Sequence, residues 1–192
     1  MIAHLNGRLV EKNPTNVIIE CGGVGYFVKI SLNTFSALGS EEQLKLYTQQ
    51  IIREDAHLLF GFATTEERDI FNLLLSVSGI GPNTAILMLS SLQPVDIAQA
   101  IQTDDVMTIQ SIKGIGAKTA QRVIIDLKDK MIKMEWSGNA NIFNGHNTNR
   151  FDALTALISL GFDKRAAEKA IEKIATGDET VEVLIKGALK IL

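Results

Sequence analysis

The stretch SIKGIGAKTAQRV, which opens at Ser111, restates SVSGIGPNTAILM, which opens at Ser76, thirty-five positions earlier: Ser, Gly, Ile, Gly, Thr and Ala fall in register. A Gly-Ile-Gly turn ahead of a helical pattern has three phosphate-handling readings, and spacing separates them. A dinucleotide fingerprint needs a third glycine three places after the second, where this chain has Thr84 and Thr119. A P-loop needs Gly-Lys-Thr without interruption, but Ala117 stands inside GAKT and no strand precedes either copy. The third reading is a tight hairpin between two helices, with the central Ile packed inward and Gly79, Gly81, Gly114 and Gly116 leaving backbone N–H groups at a helix N-terminus, where a phosphate is favoured. A single copy reads equally well as an economical helix–helix turn. Two copies in register favour a paired phosphate grip, which positions a protein on a duplex without reading its bases.

The copies are not equivalent. After the second hairpin, Lys118 and Arg122 stand four apart on one helix face, opposite Ala120, Val123, Ile124 and Leu127. They either flank a phosphate or form a solvated face with an Arg122–Asp126 pair. After the first hairpin, Ile86, Leu87, Met88 and Leu89 turn the helix into core and leave only backbone and Asn83 for a ligand. The formal net charge is −3, but Val106 to Lys133 sets Lys113, Lys118, Arg122, Lys128, Lys130 and Lys133 against only Asp126 and Asp129, a basic stripe hidden by acidic neighbours.

The pattern around these hairpins divides the chain. Residues 1–63 hold five short β-rich runs separated by turn residues, with a short helical stretch, SLNTFSAL, between the third and fourth; that is the order of a small OB-like barrel. Residues 64–136 are helical. Thr64 and Glu67 have the spacing of a capping box at the entry of the first helix, Pro94 opens a later one, and Asp104 sits near the positive end of DDVMTIQSI. Residues 137–149, with five Asn, two Gly and no formally charged side chain, read as a flexible linker, and residues 150–192 as three short helices. A hydrophobic content of 46% suffices for packed cores, and no apolar run approaches the roughly 18 residues of a spanning helix, so the chain reads as soluble and unexported. One cysteine, Cys21, and three scattered histidines give no zinc-ligand spacing, and no nucleophile–base pair or nucleotide loop is present; no cofactor, metal or catalytic residue is expected.

A barrel with GGVGY and REDAHLLFGF, the tandem GIGPNTA and GIGAKTA hairpins, the linker and the C-terminal ALISLGF module together resemble the RuvA family along the full length. These are the Holliday-junction-binding subunits of the bacterial branch-migration complex. The resemblance implies an OB-fold barrel, a tandem helix-hairpin-helix domain and a UBA-like C-terminal module. It implies a cytoplasmic, non-enzymatic homotetramer, alone or paired on one junction, that holds a four-way junction open in recombination, repair and the SOS response to DNA damage. It also implies a hexameric RuvB-type ATPase and a junction resolvase as partners. Carried over, DNA binding falls on Gly79, Gly81, Asn83, Gly114, Gly116, Lys118 and Arg122. Where the family commonly has Lys after the first hairpin's Pro, this chain has Asn83, which implies a weaker first grip. Glu54 and Asp55, otherwise a charged hairpin tip beside Arg53, become an acidic pin at the tetramer centre, repelling phosphates where strands cross. Leu157, Leu160 and Phe162 become apolar contacts to the ATPase or, alternatively, core. The competing readings are a helix-hairpin-helix glycosylase or nuclease, for which MEWSGNANIF offers no base pocket, and an adaptor that does not bind DNA.

Overall fold

A computed structural model of the protein describes residues 1–39, 41–132, 145–175 and 179–192. The chain divides into two compact units, Met1–Met134 and Glu135–Leu192.

The first unit opens with five strands, β1 (His4–Asn13), β2 (Asn16–Cys21), β3 (Val24–Ile30), β4 (Gln43–Ile52) and β5 (His57–Phe62), with α1 (Leu32–Ala37) between the third and fourth. They close into a barrel in the order β1-β2-β3-β5-β4, and β3 and β5 run parallel while the other neighbours are antiparallel. Period-two alternation selects the interior: Leu5, Val17, Ile19, Val28, Ile30 and Leu46 are all buried, and the residues between them face outward. A bulge in β1 between Leu9 and Glu11 adds the local bend that barrel closure needs. The OB-like arrangement expected from the sequence is the one observed.

Five helices complete the unit: α2 (Thr65–Leu75), α3 (Pro82–Ser91), α4 (Pro94–Gln102), α5 (Val106–Gln110) and α6 (Ala117–Ile132). They are not a separate body. The Phe71 ring of α2 lies 5.1 Å from Phe60 and 4.9 Å from Phe62 of β5, and all three are fully buried. Helix α1 fills the angle between barrel and helices. Its Asn33 amide donates to Leu89 O (2.6 Å) and Leu92 O (2.8 Å) at the carbonyl end of α3 and accepts from Gln93 Nε2 (2.7 Å). The Leu32 N–H donates to Ser90 Oγ at 3.1 Å.

The capping box is only half formed. Thr64 Oγ1 accepts from the Glu67 N–H at 3.2 Å, as expected, but the Glu67 carboxylate does not turn back toward the helix start. It points into the barrel side, where Ser31 Oγ donates to one oxygen and Thr34 Oγ1 to the other at 2.6 Å, and Thr34 Oγ1 in turn accepts from the Ala63 N–H at 3.2 Å. Glu67 is 3% exposed. Burial pushes its carboxyl above the usual carboxylate range, against the hydrogen bonds from Ser31 and Thr34, which lower it. Asp104 stands near the start of α5, as expected, but the cap is Asp105, which accepts from Thr108 N (3.1 Å) and Thr108 Oγ1 (2.6 Å), while Asp104 adopts φ +58° and pairs with Lys128.

The second unit holds α7 (Gly145–Ser159), α8 (Lys164–Ile174) and α9 (Val181–Ala188) around Ala153, Leu157, Ala167, Ala170, Ile171, Leu184 and Ala188. Four alanines in that set let short helices approach closely. Of the stretch read as linker, residues 137–144 lie outside the described residues, whereas Gly145 to Asn149 form the first turns of α7.

Two variants test the Glu67 network. Glu67→Ala strands the Ser31 and Thr34 hydroxyls and is expected to cost about 2–4 kcal/mol in denaturant unfolding, whereas Glu67→Gln, which keeps an acceptor, costs less. Because the folded carboxyl titrates above its ordinary value of 4.5, its stabilising contribution is full below that pH and is lost as pH rises through the raised value. The stability of Glu67→Gln relative to the unmodified protein is therefore expected to improve as pH rises above 4.5 and then level off.

Candidate nucleic-acid interface

The two sequence copies fold as two copies of one hairpin. In the first, the Ile80 N–H donates to Val77 O and in the second the Ile115 N–H donates to Ile112 O, both at 3.1 Å. Ser76 Oγ closes the preceding helix on Leu73 O and Ser111 Oγ closes its counterpart on Thr108 O, both at 2.7 Å, which explains why the serines repeat. The following helices begin alike, with Ala85 N–H on Gly81 O and Ala120 N–H on Gly116 O at 2.9 Å. Val77, Ile80, Ile112 and Ile115 are buried and anchor the turns, as the central Ile was expected to do.

The four glycines are exposed and serve two different purposes. Gly79 (φ +95°) and Gly114 (φ +89°) occupy the left-handed region, where a side chain is strained. Gly81 and Gly116 lie outside that region; Gly81 has φ −92° and would accept any side chain. A Cβ built on any of the four meets nothing within 4 Å. Among the described residues nothing therefore demands glycine at Gly81 or Gly116, and the space a Cβ would take is open to an approaching molecule. The first turn of a helix carries N–H groups without helical partners. In α6 these belong to Ala117, Lys118 and Thr119; in α3, Pro82 has none, which leaves Asn83 and Thr84.

Charge divides the copies further. Lys118 and Arg122 are exposed, while Ala120, Val123, Ile124 and Leu127 on the opposite face are buried. Among the described residues neither Lys118 nor Arg122 makes an ion pair, so the alternative Arg122–Asp126 pair is not formed. Other members of the basic stripe are held by the protein: Lys128 pairs with Asp104, and Lys130 Nζ donates to Ser76 Oγ at 3.2 Å, bracing the first hairpin. Lys133 lies outside the described residues. Asn83 is exposed at the start of α3 and opens onto a cleft of about 440 Å³ between that helix and the barrel, lined also by Thr15, Asn16, Phe27, Lys29 and Leu87. Sequence reasoning passed over Lys29; the signal lay in the alternation of VGYFVKI, which sets it on the face opposite Val28 and Ile30.

Arg53, Glu54 and Asp55 form the tip between β4 and β5, closed by the Arg53 N–H on Ala56 O at 2.8 Å. All three side chains are exposed, and among the described residues Glu54 and Asp55 have no cationic partner.

The apolar trio of the second unit separates. Gly161 (φ +96°) ends α7 in a Schellman turn, with Phe162 N–H on Leu157 O (3.2 Å) and Gly161 N–H on Ile158 O (2.9 Å). That turn folds Phe162, half-buried, against the same core as Leu157, which is fully buried. Leu157 is therefore core and not a surface contact. Leu160 stays 63% exposed, with Ile158 beside it on the surface.

Comparison with known proteins matches each segment of the chain. Residues 1–61 match the RuvA N-terminal domain, residues 71–129 a SAM-like helix-hairpin-helix tandem, and residues 148–192 the RuvA C-terminal domain. The Holliday junction branch migration complex subunits RuvA of Christiangramia forsetii and Flavobacterium psychrophilum are each 55% identical to it over 99% of both chains, and that of Parabacteroides distasonis is 50% identical over the whole of both. A barrel, a doubled helix-hairpin-helix and a helical module in this order, shared at full length with such relatives, place the chain in the RuvA family.

Proposed function

We propose that this protein is the non-catalytic junction-binding subunit of a branch-migration complex, recognising four-way DNA by structure and not by sequence. The observation that carries this reading is the pair of congruent hairpins whose exposed glycines leave open space over helix N-termini. Each grips a phosphate of a duplex arm through main-chain N–H groups, from Gly79, Gly81 and Asn83 on one side and Gly114 and Gly116 on the other, and Lys118 and Arg122 reinforce the second. Such contacts report the path of a backbone, which is what a junction-specific protein must read.

Assembly supplies the rest. In a homotetramer, singly or as a pair of tetramers, the Glu54 and Asp55 tips gather where the strands cross, and their unpaired negative charge holds the arms apart. The complex subunit role calls for a motor, a RuvB-type hexameric ATPase, which docks on the second unit through a surface that includes Leu160; a junction resolvase acts on the same DNA. The working compartment is the cytoplasm. Among the described residues no single helix is long and apolar enough to cross a membrane. No specific observation favours a second reading as a glycosylase or nuclease.

The reading is tested by gel shift and anisotropy with four-way, duplex and single-stranded DNA; a preference for the junction is expected, and equal affinity for all three would overturn it. Gly116→Ala, whose Cβ meets nothing in the protein, is expected to leave unfolding within about 0.5 kcal/mol of the unmodified chain while weakening junction binding several-fold. Lys118→Ala should reduce the slope of log K against log salt by about one ion. Neutralising the tip as Glu54→Gln with Asp55→Asn should raise affinity for plain duplex, so that the duplex-to-junction preference narrows.

A further inference from the structure

The first hairpin lacks the side-chain cations of the second, yet the cleft it borders is not without charge. Lys29 leaves β3 on the outer face of the barrel, in register with Asn16 of β2 and Phe60 of β5, and enters the cleft that Asn83 shares. It is half-buried, with its Nζ 6.0 Å from the centre of the Phe60 ring, at the outer limit of a cation–π contact. Among the described residues it makes no ion pair, and no acidic residue lines the cleft. A half-buried ammonium facing amides, hydroxyls and apolar walls, without a carboxylate, is a site for an external anion.

We infer that Lys29 is the missing cation of the first hairpin: it and Asn83 hold a backbone phosphate of the DNA arm lying on Gly79–Gly81. The walls fit the same ligand. Thr15 and Asn16 offer further polar groups, and Phe27, 56% exposed, and Leu87, 39% exposed, present apolar surface suited to the C–H face of a deoxyribose. The two hairpins thus obtain their charge by different routes. The second carries Lys118 and Arg122 on its own helix, whereas the first borrows Lys29 from the barrel, so its grip depends on the barrel keeping its place against α3. The Asn33 bonds to Leu89 and Leu92 and the Leu32 bond to Ser90 hold that placement.

This assignment rests on the junction-binding reading, and the experiment separates the two. Full-length Lys29→Ala is titrated against a four-way junction over a range of salt. The log K–log salt slope is expected to fall by about one ion and affinity at about 0.1 M salt by three- to tenfold, with unfolding by denaturant unchanged. Lys29→Arg is expected to keep the slope, and adding Asn83→Lys to Lys29→Ala to restore it, because a cation is then returned to the same phosphate. An unchanged slope in Lys29→Ala, with junction binding intact, overturns the role of Lys29 and leaves the junction reading standing. Failure of the unmodified chain to bind junctions overturns both.

Discussion

The Glu67 carboxylate is the point at which barrel and hairpins become one body. A buried carboxylate is costly to desolvate, and only fixed hydrogen bonds offset that cost. Here the donors are the N-cap and a first-turn residue of α1, and the latter, Thr34, accepts in turn from the residue after β5, so the carboxylate is satisfied only when barrel, α1 and α2 are all in place. Ser31 also accepts from the Thr34 N–H, so the group that anchors Glu67 is the one that starts α1. The aromatic contact of Phe71 with Phe60 and Phe62 supplies non-directional attraction across the same boundary; the carboxylate supplies the direction. A structure-reading protein needs such rigidity, since contacts that report the path of a backbone are useful only if their spacing is fixed.

On that frame the duplicated hairpin is a repeated geometry with unequal electrostatics. Both copies use a positive-φ glycine to turn, a buried Ile to anchor and a second glycine to clear the approach. They differ in the charge around the turn. The segment from Val106 onward is rich in cations, but Lys128 and Lys130 are spent on Asp104 and Ser76, which stabilise the helical region and its first hairpin. Lys118 and Arg122 stay available. In a protein of net charge −3, the cations Lys113, Lys118 and Arg122, in no ion pair among the described residues, and the exposed carboxylates at the β4–β5 tip matter more than the sum, because screening confines each to about a Debye length of 8–10 Å.

The C-terminal unit follows a different economy. Its core relies on alanines and a few large aliphatics, and the Schellman turn at Gly161 directs Phe162 inward against Leu157. The same turn leaves Leu160 outside. A motif that reads as a run of surface apolar residues is split by one backbone reversal into buried and exposed positions.

Local rules made much of this protein legible in its sequence. Period-two alternation gave the barrel strands, the 3.6-residue period gave the helices, and the spacing of Gly-Ile-Gly, Thr and Ala identified the hairpins, because turn sterics and helix periodicity act over a few residues. Tertiary structure alone decided where Glu67 points, that Lys128 is occupied, that Leu157 is buried and that Lys29 shares a cleft with Asn83. Each of these depends on partners brought close by the fold from 24 to 54 positions away or on a backbone reversal, as with Lys128 and Asp104, Glu67 and Thr34, or Lys29 and Asn83. A sequence shows which groups can form hydrogen bonds and ion pairs; only the packed chain decides which of them meet, since burial sets both the cost of a polar group left alone and the partner that relieves it.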